Sequence, residues 1–389
     1  MNTDLQAIGW VAAALVTAMV VALITTPVVR ALAFRVGAVD VPKDSRRMHD
    51  HPIPRMGGLA IFFGFILSAI IYVEITPQFQ GMMLGAVIIV VLGIFDDIYA
   101  LGAKFKLLVQ IAAALVAVHF GNVIQIISNP NVLSPNPYWD LGWLAVPATV
   151  LWIVAITNAV NLIDGLDGLA CGVSTISSMT MLVISLAVAD GPVAVIMAAL
   201  AGGCIGFLPY NLNPAKIFMG DTGSTFLGFV LATVSIQGLF KFYTIISFAV
   251  PFLMLGLPLF DTCFAILRRL AKGQSPMAPD RSHVHHRLID MGFNQKQAVA
   301  ILYVISAILG LSAVVLTTSG ALKAMVLLCA LCLAGLISGK IFLSHNENHQ
   351  EKTKEKESND HAIESHDDLR DPPGGGEDGP SGKGTGEQS

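Results

Sequence analysis

Charge is what this sequence has least of. Only 13% of its 389 residues are Asp, Glu, Lys or Arg, against 54% hydrophobic residues and a mean hydropathy of +0.68. That balance excludes a soluble globular domain of this length. Repeated apolar runs near 20 residues predict instead an all-α integral membrane protein, a polytopic helical bundle, because helices satisfy their own backbone polar groups in lipid. Cysteine is also scarce. Cys171, Cys204, Cys263, Cys329 and Cys332 all lie in apolar segments, which excludes a disulfide framework. The Cys329-x-x-Cys332 pair lacks His or acid partners and reads as helix packing. A basic leader is missing too: Asp4 precedes the first apolar run, Trp10 to Ile24, and a retained helix is expected rather than a signal peptide.

About 11 transmembrane spans are expected, at roughly 8–29, 57–76, 81–95, 106–121, 141–158, 169–189, 193–209, 223–239, 244–267, 298–317 and 321–343. Together they form a membrane domain over residues 1–343. Residues 344–389 carry twelve acids against five bases and end in PPGGGEDGPSGKGTGEQS, the composition of a disordered, solvated tail. Its four His do not point to a metal role. With this span count, alternate loops on one side hold 21 of the 23 bases, and the other side holds only Lys241 and Lys323. The positive-inside rule then puts the N-terminus outside and the C-terminus in the cytoplasm of a bacterial plasma membrane. Asp96, Asp97, Asp164, Asp167, Asp221 and Asp280 all fall on the cytoplasmic side or at its edge. Carboxylates delivered by several spans to one face make a catalytic surface, not a proton wire across the bilayer.

Asn158-Ala-Val-Asn161-Leu-Ile-Asp164-Gly-Leu-Asp167-Gly-Leu169 closes a long apolar run. If it begins as a helix, Asn158, Asn161 and Asp164 share one polar stripe, and Gly165 and Gly168 loosen the helix where the acids sit. An ordinary interhelical loop is the bland alternative. Asp96-Asp97 ends another apolar run, followed by Lys104 and Lys106. Neighbours on a helix diverge by about 100°, so the two acids would meet different partners, and a solvated acidic turn is the rival. Pro52-Ile-Pro54-Arg55-Met-Gly57-Gly58 holds Arg55 where a lipid phosphate could be bound, or where a base merely sets topology. Asn211-Leu-Asn-Pro214 leads to Phe218-Met-Gly220-Asp221-Thr-Gly223-Ser224. An acid inside a phosphate-friendly helix start suggests Mg²⁺ joined to substrate phosphates; a plain N-cap would leave Asn211 and Asp221 unexplained. The longest cytoplasmic loop carries Asp280-Arg281-Ser-His283-Val-His285-His286-Arg287, suited to a diphosphate or uridine or else simply basic and solvated. Asp261 is a further candidate that could equally pair with Arg268.

Taken together, PIPRMGG, Asp96-Asp97, NAVNLIDGLDGLA, FMGDTGS and HVHHRL, in that order, resemble the polyprenyl-phosphate N-acetylhexosamine-1-phosphate transferases over residues 10–340. The resemblance implies ten or eleven helices, a cytoplasmic active-site cleft, and transfer of a sugar-1-phosphate from a UDP-sugar to undecaprenyl phosphate with release of UMP. It implies Mg²⁺, with Mn²⁺ as a substitute, held by Asn161 and Asp221. Asp96 and Asp97 match the acids that deprotonate or position the lipid phosphate, with Arg55 and Lys104 as its binding candidates. Asp164 is grouped with the catalytic acids. Asn158, Asp167, Asn211, Arg281, His283, His285 and His286 are expected at the nucleotide-sugar. The broken pattern His283-Val-His285-His286 and the PRMGG wording resemble the GlcNAc-1-phosphate branch, which starts cell-envelope glycopolymers such as teichoic acid or O-antigen, rather than the phospho-MurNAc-pentapeptide translocase. Membrane lipid is a further partner, nucleic acid is not, and a homodimer is compatible. A secondary transporter would want internally repeated halves, which are not found. A CDP-alcohol phosphotransferase would need Ala-Arg where Cys171-Gly172 stand.

Overall fold

The computed structural model describes residues 2–41, 51–128, 136, 138–188, 190–238, 246–271, 273 and 283–318; the tail and the expected span at 321–343 lie outside them. Helices follow one another along the chain: α1 (Asn2–Val36), α2 (Gly58–Tyr72), α3 (Pro77–Tyr99), α4 (Ala103–His119), α5 (Ala145–Leu162), α6 (Leu169–Ala187), α7 (Gly191–Asn211), α8 (Gly220–Gly238), α9 (Ile246–Met254), α10 (Gly256–Ala271), α11 (Val284–Asp290) and α12 (Gln295–Thr318). Two small antiparallel hairpins interrupt them, β1 (Val39–Asp40) with β2 (Ile53–Pro54) and β3 (Ile126–Ser128) with β4 (Tyr138–Asp140). Local chemistry explains the starts. Thr76 accepts the Phe79 amide and Pro77 fills the first turn of α3; Asp190 and Pro192 do the same for α7.

Among the described residues six helices are long and apolar enough to cross a membrane, α1, α3, α5 with the turn before it, α6, α7 and α12, and α2 is a shorter apolar helix. The protein is therefore a multi-pass, all-α membrane protein. The ninth expected span, 244–267, is divided at Leu255 into α9 and α10. Proline is the cause. Pro258 has no amide for the Met254 carbonyl, and that carbonyl instead accepts the Ser177 hydroxyl of α6 at 2.8 Å. Beyond the break α10 is two-faced: Phe260, Phe264, Leu267 and Leu270 are exposed, whereas Asp261 and Arg269 are buried.

At the centre stands α8, buried without interruption from Thr222 to Gly238 and flanked by α3, α5 and α2. A helix apolar on all sides belongs inside a bundle. Its amide neighbours are matched in pairs: Gln237 donates to Asn122, which donates to the Gln78 and Ala117 carbonyls. The first turn of α8 is pressed against two glycines, Gly58 of α2 and Gly93 of α3. A Cβ at Gly93 would meet the Thr222 nitrogen at 2.6 Å and the Asp221 carbonyl carbon at 2.9 Å, both backbone atoms that cannot step aside. Gly93→Ala should therefore cost about 1–3 kcal/mol and lower activity by shifting α8. Thermal unfolding and turnover both at wild-type values would show that the junction has slack.

Candidate active site

The end of α5, the start of α8 and the junction of α3 with α4 meet around one small group of polar side chains. α5 stops at Leu162, after carrying Asn158 and Asn161 in its last turns. The chain then runs irregularly to Gly168, whose φ of +78° starts α6 in a conformation glycine adopts without strain. Asn161 donates to the Ser224 hydroxyl at 2.8 Å and lies within hydrogen-bonding reach of Asp221. Asp164 follows, half-buried. Burial first, and then the Asp221 and Asp97 carboxylates, push its carboxyl up to about 8 against the opposing pull of Arg55.

Asp96 and Asp97 diverge as helix geometry requires, and their surroundings differ. Asp97 is buried and accepts three hydrogen bonds from the start of α8: the Asp221 amide at 2.9 Å, the Thr222 amide at 3.1 Å and the Thr222 hydroxyl at 2.6 Å. It caps a helix other than its own, and Gly220 leaves room for its carboxylate. Asp96 uses one oxygen to take the Leu101 amide past the end of α3 at 2.7 Å, and the other to meet Lys106 at 2.9 Å. The same ammonium reaches Asp221 at 2.8 Å. Lys106 thus bridges the two acids.

The histidine segment joins from the other side. Asp261 of α10 accepts from the Val284 amide at 2.8 Å and pairs with His283 Nδ1 at 2.9 Å, which fixes the start of α11. His285 is buried against Gly165, where a Cβ would collide with its ring, and its ring centroid lies 4.2 Å from that of His286. Burial first, then the charges of His286 and His283, push the His285 imidazole down to about 4, with Asp261 opposing. His285 is therefore neutral at pH 7. A histidine held below its unfolded value of about 6.5 contributes fully above that pH, and its contribution is lost as pH falls toward 4. The thermal midpoint should fall across this window, and less steeply in His285→Gln; equal slopes would contradict the assignment.

The other expected residues make hydrogen bonds and ion pairs around this cluster. The Asn158 amide donates to Gln110 of α4 at 2.7 Å and to the Val154 carbonyl at 2.8 Å. Asp167 takes Asn213 and the Ala215 amide, both at 3.0 Å, and so ties its loop to the turn before α8. Asn211 donates to the Ile217 carbonyl within that turn. Arg55 is paired with Asp40 at 2.9 Å. The glycines after it close a zipper, Gly57 and Gly58 donating to the Phe218 and Met219 carbonyls while Pro54 accepts the Phe218 amide, each at 2.9 Å. Lys104 is exposed, and it is Lys106, two residues on, that meets the acids. Arg281 lies outside the described residues. Lys106 is the residue that sequence reasoning passed over.

Among the described residues no three His, Cys, Asp or Glu side chains gather as a closed metal cage. The Asp221 carboxylate, with the Asp96 carboxylate beyond Lys106, offers hard oxygen donors of the kind Mg²⁺ uses with substrate phosphates, and Asn161, whose amide N–H donates to Ser224 here, would add its oxygen on turning its amide over. An ammonium already sits between the two acids, so the site accommodates a cation. The residues fit the ion.

Known proteins resemble this chain over most of its length. The model of glycosyl transferase family 4 matches residues 79–239, which span α3 to α8. The chain is 45% identical over 311 residues, 79% of its length and 85% of the relative's, to a Bacillus subtilis (strain 168) protein named "Probable undecaprenyl-phosphate N-acetylglucosaminyl 1-phosphate transferase". It is 33% identical over 321 residues, 74% of its length and 77% of the relative's, to the "Decaprenyl-phosphate N-acetylglucosaminephosphotransferase" of Mycolicibacterium smegmatis. A Yersinia pestis "Undecaprenyl-phosphate alpha-N-acetylglucosaminyl 1-phosphate transferase" is 30% identical over 320 residues, 80% of this chain and 86% of that one. The protein belongs to glycosyl transferase family 4, among the polyprenyl-phosphate N-acetylhexosamine-1-phosphate transferases.

Proposed function

We propose that this protein transfers GlcNAc-1-phosphate from UDP-GlcNAc to undecaprenyl phosphate, releasing UMP and starting a cell-envelope glycopolymer. The observation that carries the chemistry is the cluster at the start of α8, where Asp221 meets Asn161 on one side and, through Lys106, Asp96 on the other. The names of the relatives support the sugar and the lipid acceptor. The lipid phosphate attacks the β-phosphorus of the donor in line; the bond to the α-phosphate oxygen breaks and UMP departs. Asp221 and Asn161 would hold Mg²⁺, which when bound supplies electrostatic stabilisation of the charge developing between the phosphates. Asp96, the acid of the pair that faces the cluster, accepts the proton of a monoprotonated lipid phosphate or orients its dianion. Lys106 steadies that phosphate, and Asp97 holds the first turn of α8 in place. Neutral His285 and its neighbours border the Asp164–Gly165 loop and contact the donor. The exposed apolar stripe of α10 offers the isoprenoid a way along the protein. With eleven spans, the distribution of Lys and Arg supports an N-terminus outside and a site facing the bacterial cytoplasm, where UDP-sugars are made.

The test is a panel of UDP-sugars offered to the purified protein with undecaprenyl phosphate, scored by UMP release with and without Mg²⁺. UDP-GlcNAc should be the preferred donor and chelation should abolish turnover. Preference for UDP-MurNAc-pentapeptide would move the protein to the translocase branch, and counterflow transport without label transfer would make it a carrier.

A further inference from the structure

We propose that Lys106 is an internal counter-ion that a divalent cation displaces, so that loading the metal frees an ammonium for the anionic lipid substrate. The inference rests on the reading above that Asp221 and Asn161 hold the cation. Lys106 lies in the first turn of α4, at the positive end of that helix dipole, where a lysine is disfavoured. What holds it there is the pair of acids, Asp96 at 2.9 Å and Asp221 at 2.8 Å. Without Lys106 these two carboxylates would face each other across a partly buried site with like charge. Arg55 cannot take over, because it is committed to Asp40.

The residue type suits displacement. A lysine is a point charge on a flexible stem with three donors, so it can leave one acid and keep the other. An arginine would lock a carboxylate in a bidentate grip. The charge balance gives the displacement a consequence. Asp96, Asp221 and the Asp97 carboxylate bonded to the Asp221 amide, with one ammonium, sum to −2, which repels a phosphate. A bound dication cancels that charge, and Lys106, released from one acid, is left to meet the phosphate. Metal loading would therefore precede and promote capture of the lipid phosphate.

The experiment uses the full chain in detergent without substrates, titrated with Mn²⁺ and read by the electron paramagnetic resonance of the free ion. Lys106→Met removes the charge and keeps the stem, and Lys106→Gln serves as a second variant. Both should bind Mn²⁺ about 10-fold more tightly than wild type, because two partly buried ion pairs no longer compete. Mg²⁺ should raise their thermal midpoint more than that of wild type. Lys106→Arg should stay as weak as wild type, and Asp221→Asn should lose the site. Farnesyl phosphate, a short polyprenyl phosphate, should bind wild type more tightly once Mn²⁺ is present, and this gain should shrink in Lys106→Met. Unchanged or weaker Mn²⁺ binding in both uncharged variants, with Asp221→Asn still defective, would make Lys106 a fixed tie between helices and leave the metal site standing. No saturable binding to wild type or to either uncharged variant would overturn the metal site and the counter-ion together.

Discussion

Asp221→Asn should lower turnover by at least about 10²-fold while leaving the fold intact, since losing one preorganised charge at a reacting phosphate costs that order. The fold should survive because Asp221 does not cap its own helix; Asp97 does that work from α3. The substitution also removes one of two carboxylates competing for a single ammonium, which relieves crowding rather than creating a void. An asparagine keeps the shape and the hydrogen-bonding oxygen, so a collapse of the site would not explain lost activity. The measurement is UMP release from UDP-GlcNAc and undecaprenyl phosphate, with thermal unfolding alongside. Activity near wild type would remove Asp221 from the reaction.

The parts of this site that could be read from sequence are those where a carboxylate interrupts an apolar run. Asp96-Asp97, Asp164, Asp167 and Asp221 stood out because lipid penalises charge, and alternation of loops put them on one face. The loosening of α5 before Gly165 and Gly168 was legible for a similar local reason. Contacts between distant segments were not. Lys104 and Lys106 are two residues apart, so their side chains leave α4 about 200° apart, and only the packing of α4 on α3 decides which one meets the acids. The glycines of PRMGG drew notice only as neighbours of Arg55, and their zipper to Phe218 and Met219 joins segments far apart in the chain that no local pattern connects. Arg55 stood out between proline and glycine, but its partner Asp40 comes from a hairpin that no short-range pattern announces. The division of the ninth span did have a signal, Pro251 and Pro258, which the length of the apolar run obscured.

Adjacency also hid the difference between the paired acids, and here the structure makes a separable prediction. Asp97→Asn should destabilise the protein by about 2–4 kcal/mol, the range for breaking a buried, multiply bonded carboxylate. The carboxylate accepts two backbone amides and one hydroxyl. An amide group offers a single accepting oxygen, and its own N–H groups would point at the donors left behind. The first turn of α8 would lose its anchor, and Asp221 would move with it. Asp96→Asn should behave differently. Its oxygen can still take the Leu101 amide, and only the contact with Lys106 is weakened, so stability should stay within about 1 kcal/mol of wild type. Both variants should lose activity, but only Asp97→Asn should lose it together with thermal stability. If Asp96→Asn unfolded early and Asp97→Asn did not, the capping role would belong to the wrong acid. Asp97 is thus a positioning residue. It places the Asp221 carboxylate beside Asn161 and within reach of Lys106, whereas Asp96 meets that ammonium directly.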